Sequence, residues 1–174
     1  MNNWIYKHHA SSNTRYVLGE WGINNLICIG INPSTATPEN LDPTIRRVKK
    51  FAQDNGYDGW FMLNVYPQIE TNPKLIDEHI NNSLHEENIK EIKQLISEFP
   101  TSYIWAAWGN NIQRKPYLFQ CLKDVVATIN ADFQKRWVHL NDLTTKKHPK
   151  HPLYLPNNAN FKEFDIHEYL KLHA

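Results

Sequence analysis

The sequence NLICIGINPSTA, residues 25–36, joins a short apolar run to a polar loop. The apolar part, residues 26–29, predicts a strand buried on both faces, as the central strands of parallel sheets are. Pro33 lacks a backbone N–H and cannot continue a central strand, so the chain must leave the sheet here. In open α/β sheets, ligands bind at the carboxyl ends of the strands. Asn32 is therefore predicted to lie at an edge where binding sites form.

The loop after this strand is rich in hydroxyl side chains. Ser34, Thr35 and Thr37 have few apolar neighbours, which suits a loop that lines a polar pocket. The alternative is an ordinary turn, because Asn-Pro and Ser are common turn residues. The loop taken alone leaves both interpretations open.

Length and composition favour a single soluble domain covering residues 1–174. A chain of this size can bury a substantial core, and its formal net charge of +1 indicates no particular partner. The two cysteines, Cys28 and Cys121, are far apart and predict no disulfide, so a reducing cytoplasm is the expected compartment. Neither a signal peptide nor a membrane span is apparent.

Strand and helix patterns alternate along the chain. An antiparallel edge pair is predicted near residues 4–6 and 15–18, and buried strands at residues 26–29, 60–63, 103–108 and 138–140. Helices are predicted from Asp42 and Pro43 to Asn55, from a Ser83/Glu86 capping box, after Gly109, and around Ile166 and Tyr169, with Phe161 and Phe164 leading in. The long crossovers predict an α/β fold, a three-layer αβα domain with a mainly parallel central sheet.

A parallel sheet brings distant polar residues to one edge. Asn32, Asn64, the pair Gly109 and Asn110, and the loop after Leu140 each follow a predicted buried strand. Because the carboxyl ends of parallel strands share an edge, these loops are expected to converge. This convergence is the strongest functional indication in the residues alone.

The loop after the fourth buried strand, TTKKHPKHPLY at residues 144–154, combines cations, two histidines and prolines. It could hold a phosphate while presenting a donor to an anionic oxygen. Arg114 and Lys115 would add to this local positive charge, which a phosphate feels more than the net charge. The alternative is a solvated basic loop without a ligand.

Several chemistries lack support in the sequence. His148 and His151 have no carboxylate or cysteine at a recognised spacing, so neither a metal nor another cofactor is predicted. No glycine-rich phosphate-binding motif occurs, and Ser34 lacks the glycine context of a nucleophile elbow.

An ordered set of motifs resembles a known family. The set comprises IGINPSTA, LDPTIRR, the strand ending in Asn64, IWAAWGN and HPKHPLYL. Together they resemble the bacterial and phage family known as domain of unknown function 1643, over about residues 15–155.

A more distant resemblance is to the uracil-DNA glycosylase superfamily. That superfamily has a glycine-x-polar-proline loop, an asparagine, a tryptophan-glycine pair and a histidine-proline loop after successive core strands. The segment GINP at residues 30–33, Asn64, the pair Trp108 and Gly109, and the pair His151 and Pro152 are similar in order and placement. The resemblance implies a uracil-DNA-glycosylase-like fold.

The resemblance also implies roles for individual residues. Asn32 would position a water for attack on a glycosidic carbon, without itself acting as a strong base. Asn64 would recognise the edge of an extruded base, and His151 would stabilise the departing base. Leu153 or Tyr154 would wedge into the base stack.

Some positions depart from this pattern. Ser34 stands where uracil-specific members carry a bulky aromatic, which leaves room for a modified base. Leu153 replaces a typical serine. Asp42 is either a helix cap or, with Arg46, part of the site. The residues expected to form the site are Gly30, Asn32, Ser34, Thr35, Asp42, Arg46, Asn64, Gly109, Asn110, Lys146, His151 and Tyr154.

Three functions remain open on this basis. The leading hypothesis is an enzyme that hydrolyses the N-glycosidic bond of a modified base in nucleic acid. The second is a nucleic-acid-binding module that keeps the pocket without the chemistry. The third is an enzyme acting on a free nucleotide or nucleoside.

Overall fold

The computed structural model describes residues 3–99, 103–131 and 136–174, in which strands and helices alternate. The strands are β1 (Trp4–His9), β2 (Thr14–Glu20), β3 (Asn25–Gly30), β4 (Gly59–Asn64), β5 (Tyr103–Ala106), β6 (Arg136–Leu140) and β7 (Phe161–Glu163). The α-helices are α1 (Pro43–Asp54), α2 (Asn82–Glu98), α3 (Pro116–Asn130) and α4 (Ile166–Leu172). The predicted α/β class is confirmed.

The strands form one mixed sheet in the order β1-β2-β4-β3-β5-β6-β7. Strands β4, β3, β5 and β6 are parallel neighbours, whereas the β1–β2, β2–β4 and β6–β7 pairings are antiparallel. The expected mainly parallel sheet is therefore not confirmed, because half of the pairings are antiparallel. The predicted edge pair β1–β2 is confirmed. Phe161 was predicted to lead into the last helix, but it begins strand β7, which pairs antiparallel with β6.

Helices cover both faces of the sheet, because the four parallel strands are buried on both sides. Side chains of β3 alternate: Ile27 and Ile29 join the core beneath α2, α3 and α4, whereas Leu26 and Cys28 join the core beneath α1. The carboxyl ends of the parallel strands hold the cleft described below.

The helix starts follow from side-chain caps. The Asp42 carboxylate accepts a hydrogen bond from the Ile45 N–H at 2.8 Å, which caps α1 as predicted. The capping box at Ser83 is wrong: α2 begins at Asn82, and Asn81 accepts from the Leu84 N–H at 3.3 Å. An asparagine caps a helix as well as a serine does, so the local sequence did not show whether Asn81 or Ser83 is the cap of α2. Among the described residues, no helix combines the length and apolar character needed to cross a bilayer.

Candidate functional site

A cleft of about 320 Å³ opens at the carboxyl edge of the parallel strands. Its walls come from the loop after β3, the start of α1, residues 70–74 after β4, the turn after β5, and the loop after β6. A second cavity of about 560 Å³ adjoins it and shares Asn111, His151 and Tyr154. Segments that are far apart in sequence therefore meet around one polar space.

Asn32 lines this cleft and has a fixed orientation. Its side-chain nitrogen donates to the carbonyls of Pro33 at 3.0 Å, Gln68 at 3.3 Å and Glu70 at 2.8 Å. Only the NH₂ end of the amide can face three carbonyl oxygens, so the Oδ1 atom must be the other end. Oδ1 receives no hydrogen bond from the described residues, which leaves an acceptor free for a ligand or a water.

Asn64, the last residue of β4, is fully buried, and neither of its side-chain polar atoms has a hydrogen-bond partner in the part of the chain that the structure describes. Its backbone carbonyl accepts from the Asn88 side chain at 3.0 Å, which holds the strand end in place. A buried amide without partners costs free energy, so an unsatisfied one in a native fold calls for an explanation. A ligand that pairs with both atoms would supply one.

Gly30 lies opposite Asn64 in the parallel pairing of β3 and β4. A Cβ at Gly30 would lie 3.0 Å from the Asn64 Oδ1 atom and would overlap the terminal methyl of Met62. Gly30 and Met62 both line the cleft, whereas Asn64 does not. The Met62 methyl group and the Asn64 Oδ1 atom both lie within 3.0 Å of the position of that Cβ. A methionine side chain is flexible, and its movement would open the amide to the cleft.

His151 lines both cavities, and its hydrogen bonds define its protonation state. The Nδ1 atom accepts from the Leu153 N–H at 3.3 Å. A backbone N–H can only donate, so Nδ1 carries the lone pair and the proton lies on Nε2. Burial lowers the pKa of His151 to about 4, although the nearby Asp42 carboxylate opposes the shift. At neutral pH the residue is therefore an uncharged imidazole whose free donor is Nε2–H.

Two groups hold the His151 loop in position. Gly109 adopts a φ of +64°, and a Cβ there would lie 3.3 Å from the His151 Cβ. The Gly109 N–H also donates to the Pro149 carbonyl at 2.9 Å. On the other side, the Arg47 guanidinium donates to the carbonyls of Pro152, at 2.8 Å, and Leu155. Arg47 was not among the residues expected to form the site.

Asp42 is both a helix cap and part of the cleft, which combines the two alternatives left open above. One carboxylate oxygen caps α1, and the other accepts a hydrogen bond from the Ser34 hydroxyl. Both residues line the cleft. Arg46 is not its partner there, because the helical turn directs Arg46 into solvent.

Four expected site residues do not line either cavity. Asn64 is buried behind the main cleft, Thr35 and Arg46 are exposed, and Lys146 donates to Gln113 at 3.2 Å. Gly109 and Asn110 line the second cavity, where the Asn110 Oδ1 accepts from the Thr144 hydroxyl at 2.7 Å. The remaining expected residues that line the main cleft are Gly30, Asn32, Ser34, Asp42, His151 and Tyr154.

The two histidines of the basic loop are separated in the fold. His148 is buried, and its Nδ1 lies 2.8 Å from the Tyr169 hydroxyl, which also accepts from the Trp108 indole N–H at 2.9 Å. Among the described residues, no three His, Cys, Asp or Glu side chains lie together as metal ligands do. His148 therefore belongs to the packing of α4 against β5, not to the main cleft.

Sequence reasoning missed several cleft residues. Residues 70–74, from the irregular link after β4, form one wall, and Met62 also lines the cleft. Arg15, expected only as part of an edge strand, also lines the cleft. The charged side chains of the cleft are Arg15, Lys74, Arg114, Asp42 and Glu70. Two carboxylates facing three cations leave the cleft with a slight excess of positive charge.

Fold and cleft together define an α/β protein with a polar cleft at the carboxyl edge of its parallel strands. The chain belongs to a family described as a protein of unknown function (DUF1643), whose model matches residues 15–153. The matched span contains every residue that lines the main cleft except Tyr154, and the predicted family is confirmed. No functionally curated protein and no solved structure is significantly similar to the chain.

Proposed function

We propose that this protein hydrolyses an N-glycosidic bond in a nucleic acid or nucleotide, with a modified base as the leaving group, on a uracil-DNA-glycosylase-like fold. The observation that carries the proposal is the Asn64 amide, which is fully buried beside the cleft with both polar atoms unpaired. An amide presents one donor and one acceptor side by side. The edge of a nucleobase offers the complementary pair.

The placement of the motifs supports the fold assignment. Strands β3, β4, β5 and β6 are the parallel ones, and each carries one of the four motifs of the superfamily at or after its carboxyl end. The antiparallel strands β1, β2 and β7 flank this set without interrupting it. The resemblance thus concerns the part of the sheet that bears the cleft.

The state of His151 fits the stabilisation of a leaving base. When the glycosidic bond breaks, its electron pair moves to the base, and negative charge develops on the base oxygens. A neutral imidazole that presents Nε2–H can donate to such an oxygen without needing to be charged. The Leu153 N–H on Nδ1 and the contact with Gly109 hold the imidazole in this state and place.

Asn32 would orient the attacking water. Its fixed NH₂ group leaves Oδ1 as an acceptor for one water hydrogen. The water oxygen bonds to the sugar carbon as the bond to the base nitrogen breaks, and the water proton passes to solvent or to the departing base. An amide cannot hold that proton, so Asn32 positions the water and does not serve as a base.

The cleft accepts a base larger than uracil. Ser34 is the small residue next to Pro33, and its hydroxyl is turned toward Asp42. At the rim, Tyr154 and Leu153 are exposed by 78% and 43% and can contact neighbouring nucleotides. These features favour a modified base and a nucleic-acid strand as its source.

The proposal is tested by incubating the purified protein with a panel of damaged and hypermodified DNAs and detecting free bases by mass spectrometry. The Asn32→Ala variant is the control for a water-positioning residue. Base release that falls at least tenfold in Asn32→Ala would support the mechanism.

Undiminished release by Asn32→Ala would contradict the role of Asn32. Salt-sensitive DNA binding without release of any base would instead favour a non-catalytic binding module. A variant at the exposed Thr35, which lies outside the cleft, controls for effects of changing the loop itself.

A further inference from the structure

Arg15 in β2 is a buried arginine with unused hydrogen-bonding capacity. The residue is 2% exposed, yet its side chain lines the cleft. Its Nη1 atom donates to the carbonyls of Ala36 at 2.9 Å and Ser34 at 3.4 Å. These two contacts tie the loop after β3 to the neighbouring β2, and they account for one of the three guanidinium nitrogens.

The unused nitrogens of Arg15 form one edge. Nε is buried and has no partner, and Nη2 donates to no group among the described residues. The hydrogens of Nε and Nη2 lie on the same side of the planar guanidinium, as a fork that matches two oxygens of a phosphate or carboxylate.

No carboxylate of the described residues lies within 4 Å of the Arg15 guanidinium, although buried arginines are normally paired. Asp42 is near enough to act on its pKa, but both Asp42 oxygens already accept hydrogen bonds from Ser34 and Ile45. Burial lowers the pKa of Arg15 to about 10, so the group stays charged at neutral pH. A buried charge without a partner is costly, and an oxyanion in the cleft would offset that cost.

We propose that the free Nε–Nη2 edge of Arg15 is a phosphate receptor, so that the ligand of this cleft enters as a nucleotide whose phosphate is held by Arg15. The inference rests on the proposed function and specifies its substrate class. A volume of about 320 Å³ lies at the lower end of small-ligand pockets and fits a single nucleotide unit. Lys74 and Arg114, both on the cleft wall, add positive charge for the same group.

The test compares ligands that differ only in the phosphate. Calorimetry on the full chain measures binding of the four natural deoxynucleosides, their 5′-monophosphates, inorganic phosphate and short single-stranded oligonucleotides. At least one monophosphate should bind about tenfold to 100-fold more tightly than its nucleoside, since hydrogen bonds to charged groups are worth this much. Tighter binding of the monophosphate than of the oligonucleotide identifies a phosphomonoester, and the reverse order identifies a strand phosphate.

Variants assign the effect to Arg15. Arg15→Lys keeps the charge but removes the fork, and should bring nucleotide and nucleoside to within about threefold of each other. The matched control is Arg136→Lys, at the start of β6, whose exposed side chain lies outside both cavities. Should Arg15→Lys fail to fold, the comparison of ligands on the unaltered chain still decides whether phosphate is recognised.

Equal binding of nucleosides and monophosphates, or no binding of any monophosphate, would overturn the inference. An unchanged phosphate preference in Arg15→Lys that disappears in Arg114→Gln would overturn the assignment to Arg15. Base release is scored separately. Phosphate-dependent binding without base release supports the phosphate receptor and contradicts the hydrolase. Base release that is equal from nucleoside and nucleotide supports the hydrolase and contradicts the phosphate receptor.

Discussion

Strands β3 and β4 carry an asparagine opposite a glycine at both ends of their parallel pairing. At the amino end Asn25 lies opposite Gly59, and at the carboxyl end Gly30 lies opposite Asn64. Both asparagines are buried. The Asn25 amide is closed, because it accepts from the Gly22 N–H at 2.8 Å and donates to the Gly22 carbonyl at 2.9 Å. The Asn64 amide is open, because neither polar atom has a partner within residues 3–99, 103–131 and 136–174.

The difference distinguishes an end of the sheet whose buried polar groups are paired within the protein from an end whose groups could pair with a ligand. At the amino end, Asp58 also accepts from the N–H groups of Asn24, at 2.6 Å, and Ile23, at 3.2 Å. At the carboxyl end, Arg15 joins Asn64 in having buried polar atoms without partners. Other buried atoms without partners, such as Trp105 Nε1 and His139 Nδ1, lie away from the cleft. Buried polar groups are normally paired, and what distinguishes Arg15 and Asn64 is that a ligand in the cleft could supply their partners.

The largest effect is expected from Asn64→Leu, which removes the open amide. Losing two hydrogen bonds to a base should lower kcat/KM for base release about 100-fold. The free energy of unfolding should stay the same or rise, since the folded state no longer buries an unpaired amide. Urea unfolding and base release on the best DNA of the panel measure the two effects. A large loss of stability with normal release would identify Asn64 as structural.

Asn25→Ala tests the closed amide. The variant loses both hydrogen bonds to Gly22, so the free energy of unfolding should fall by about 2 kcal/mol. The ligand cleft lies at the opposite end of β3, and kcat/KM should remain within about twofold of the original value. Urea unfolding and base-release kinetics are again the measurements. Unchanged stability would mean that the closed amide is not a structural element.

Gly109→Ala sharpens the comparison at the His151 side of the cleft. Its φ of +64° strains an alanine, and the new methyl group would lie 3.3 Å from the His151 Cβ. Base release should fall about tenfold as the imidazole shifts. Gly56→Ala is the matched control, because Gly56 has a φ of +83° with nothing within 4 Å of its Cβ position. Equal losses of release in both variants would mean that backbone strain alone is responsible.

The smallest expected effect is on how the free energy of unfolding changes with pH. Burial lowers the pKa of His151 to about 4 in the folded state, against about 6.5 for an unfolded histidine. The folded state therefore favours the neutral form, and this contribution to stability is complete above about pH 6.5 and is lost as the pH falls toward 4. His151→Gln should reduce the loss of stability between pH 7 and 5.5 by about 1 kcal/mol.

Urea unfolding across this pH range measures the effect, with the same substitution at the exposed His167 as control. An identical pH dependence of stability for His151→Gln and the unaltered chain would contradict a buried neutral imidazole.

Local pattern predicted the elements that position the cleft. The apolar runs ending at Asn64 and before Asn32 marked buried strands, and Asp42 with Pro43 marked the start of α1. These predictions succeed because burial on both faces requires continuous apolar residues, and a cap requires a short polar side chain in one position. The antiparallel β6–β7 pairing was missed because β7 has three residues, too few for a strand pattern.

Predictions of site residues from their closeness in sequence to other site residues were less reliable than the predictions of strands and helices. Thr35 and Arg46 neighbour cleft residues in the chain, yet both are exposed, because adjacent side chains of a loop or helix point in different directions. Arg15 has no motif around it. Its place in the cleft depends on β2 pairing beside β4 and on the loop at residues 34–36 folding over it.

The sequence by itself determined the α/β class, the family, the strands of the parallel set and the polar residues at their carboxyl ends, because backbone sterics and burial act over short stretches. Only the tertiary structure decided which polar groups remain unpaired. Whether Asn25 is closed, and Asn64 and Arg15 are open, depends on partners from distant segments. A hydrogen bond requires two groups within about 3 Å, and that proximity exists only once the chain is folded.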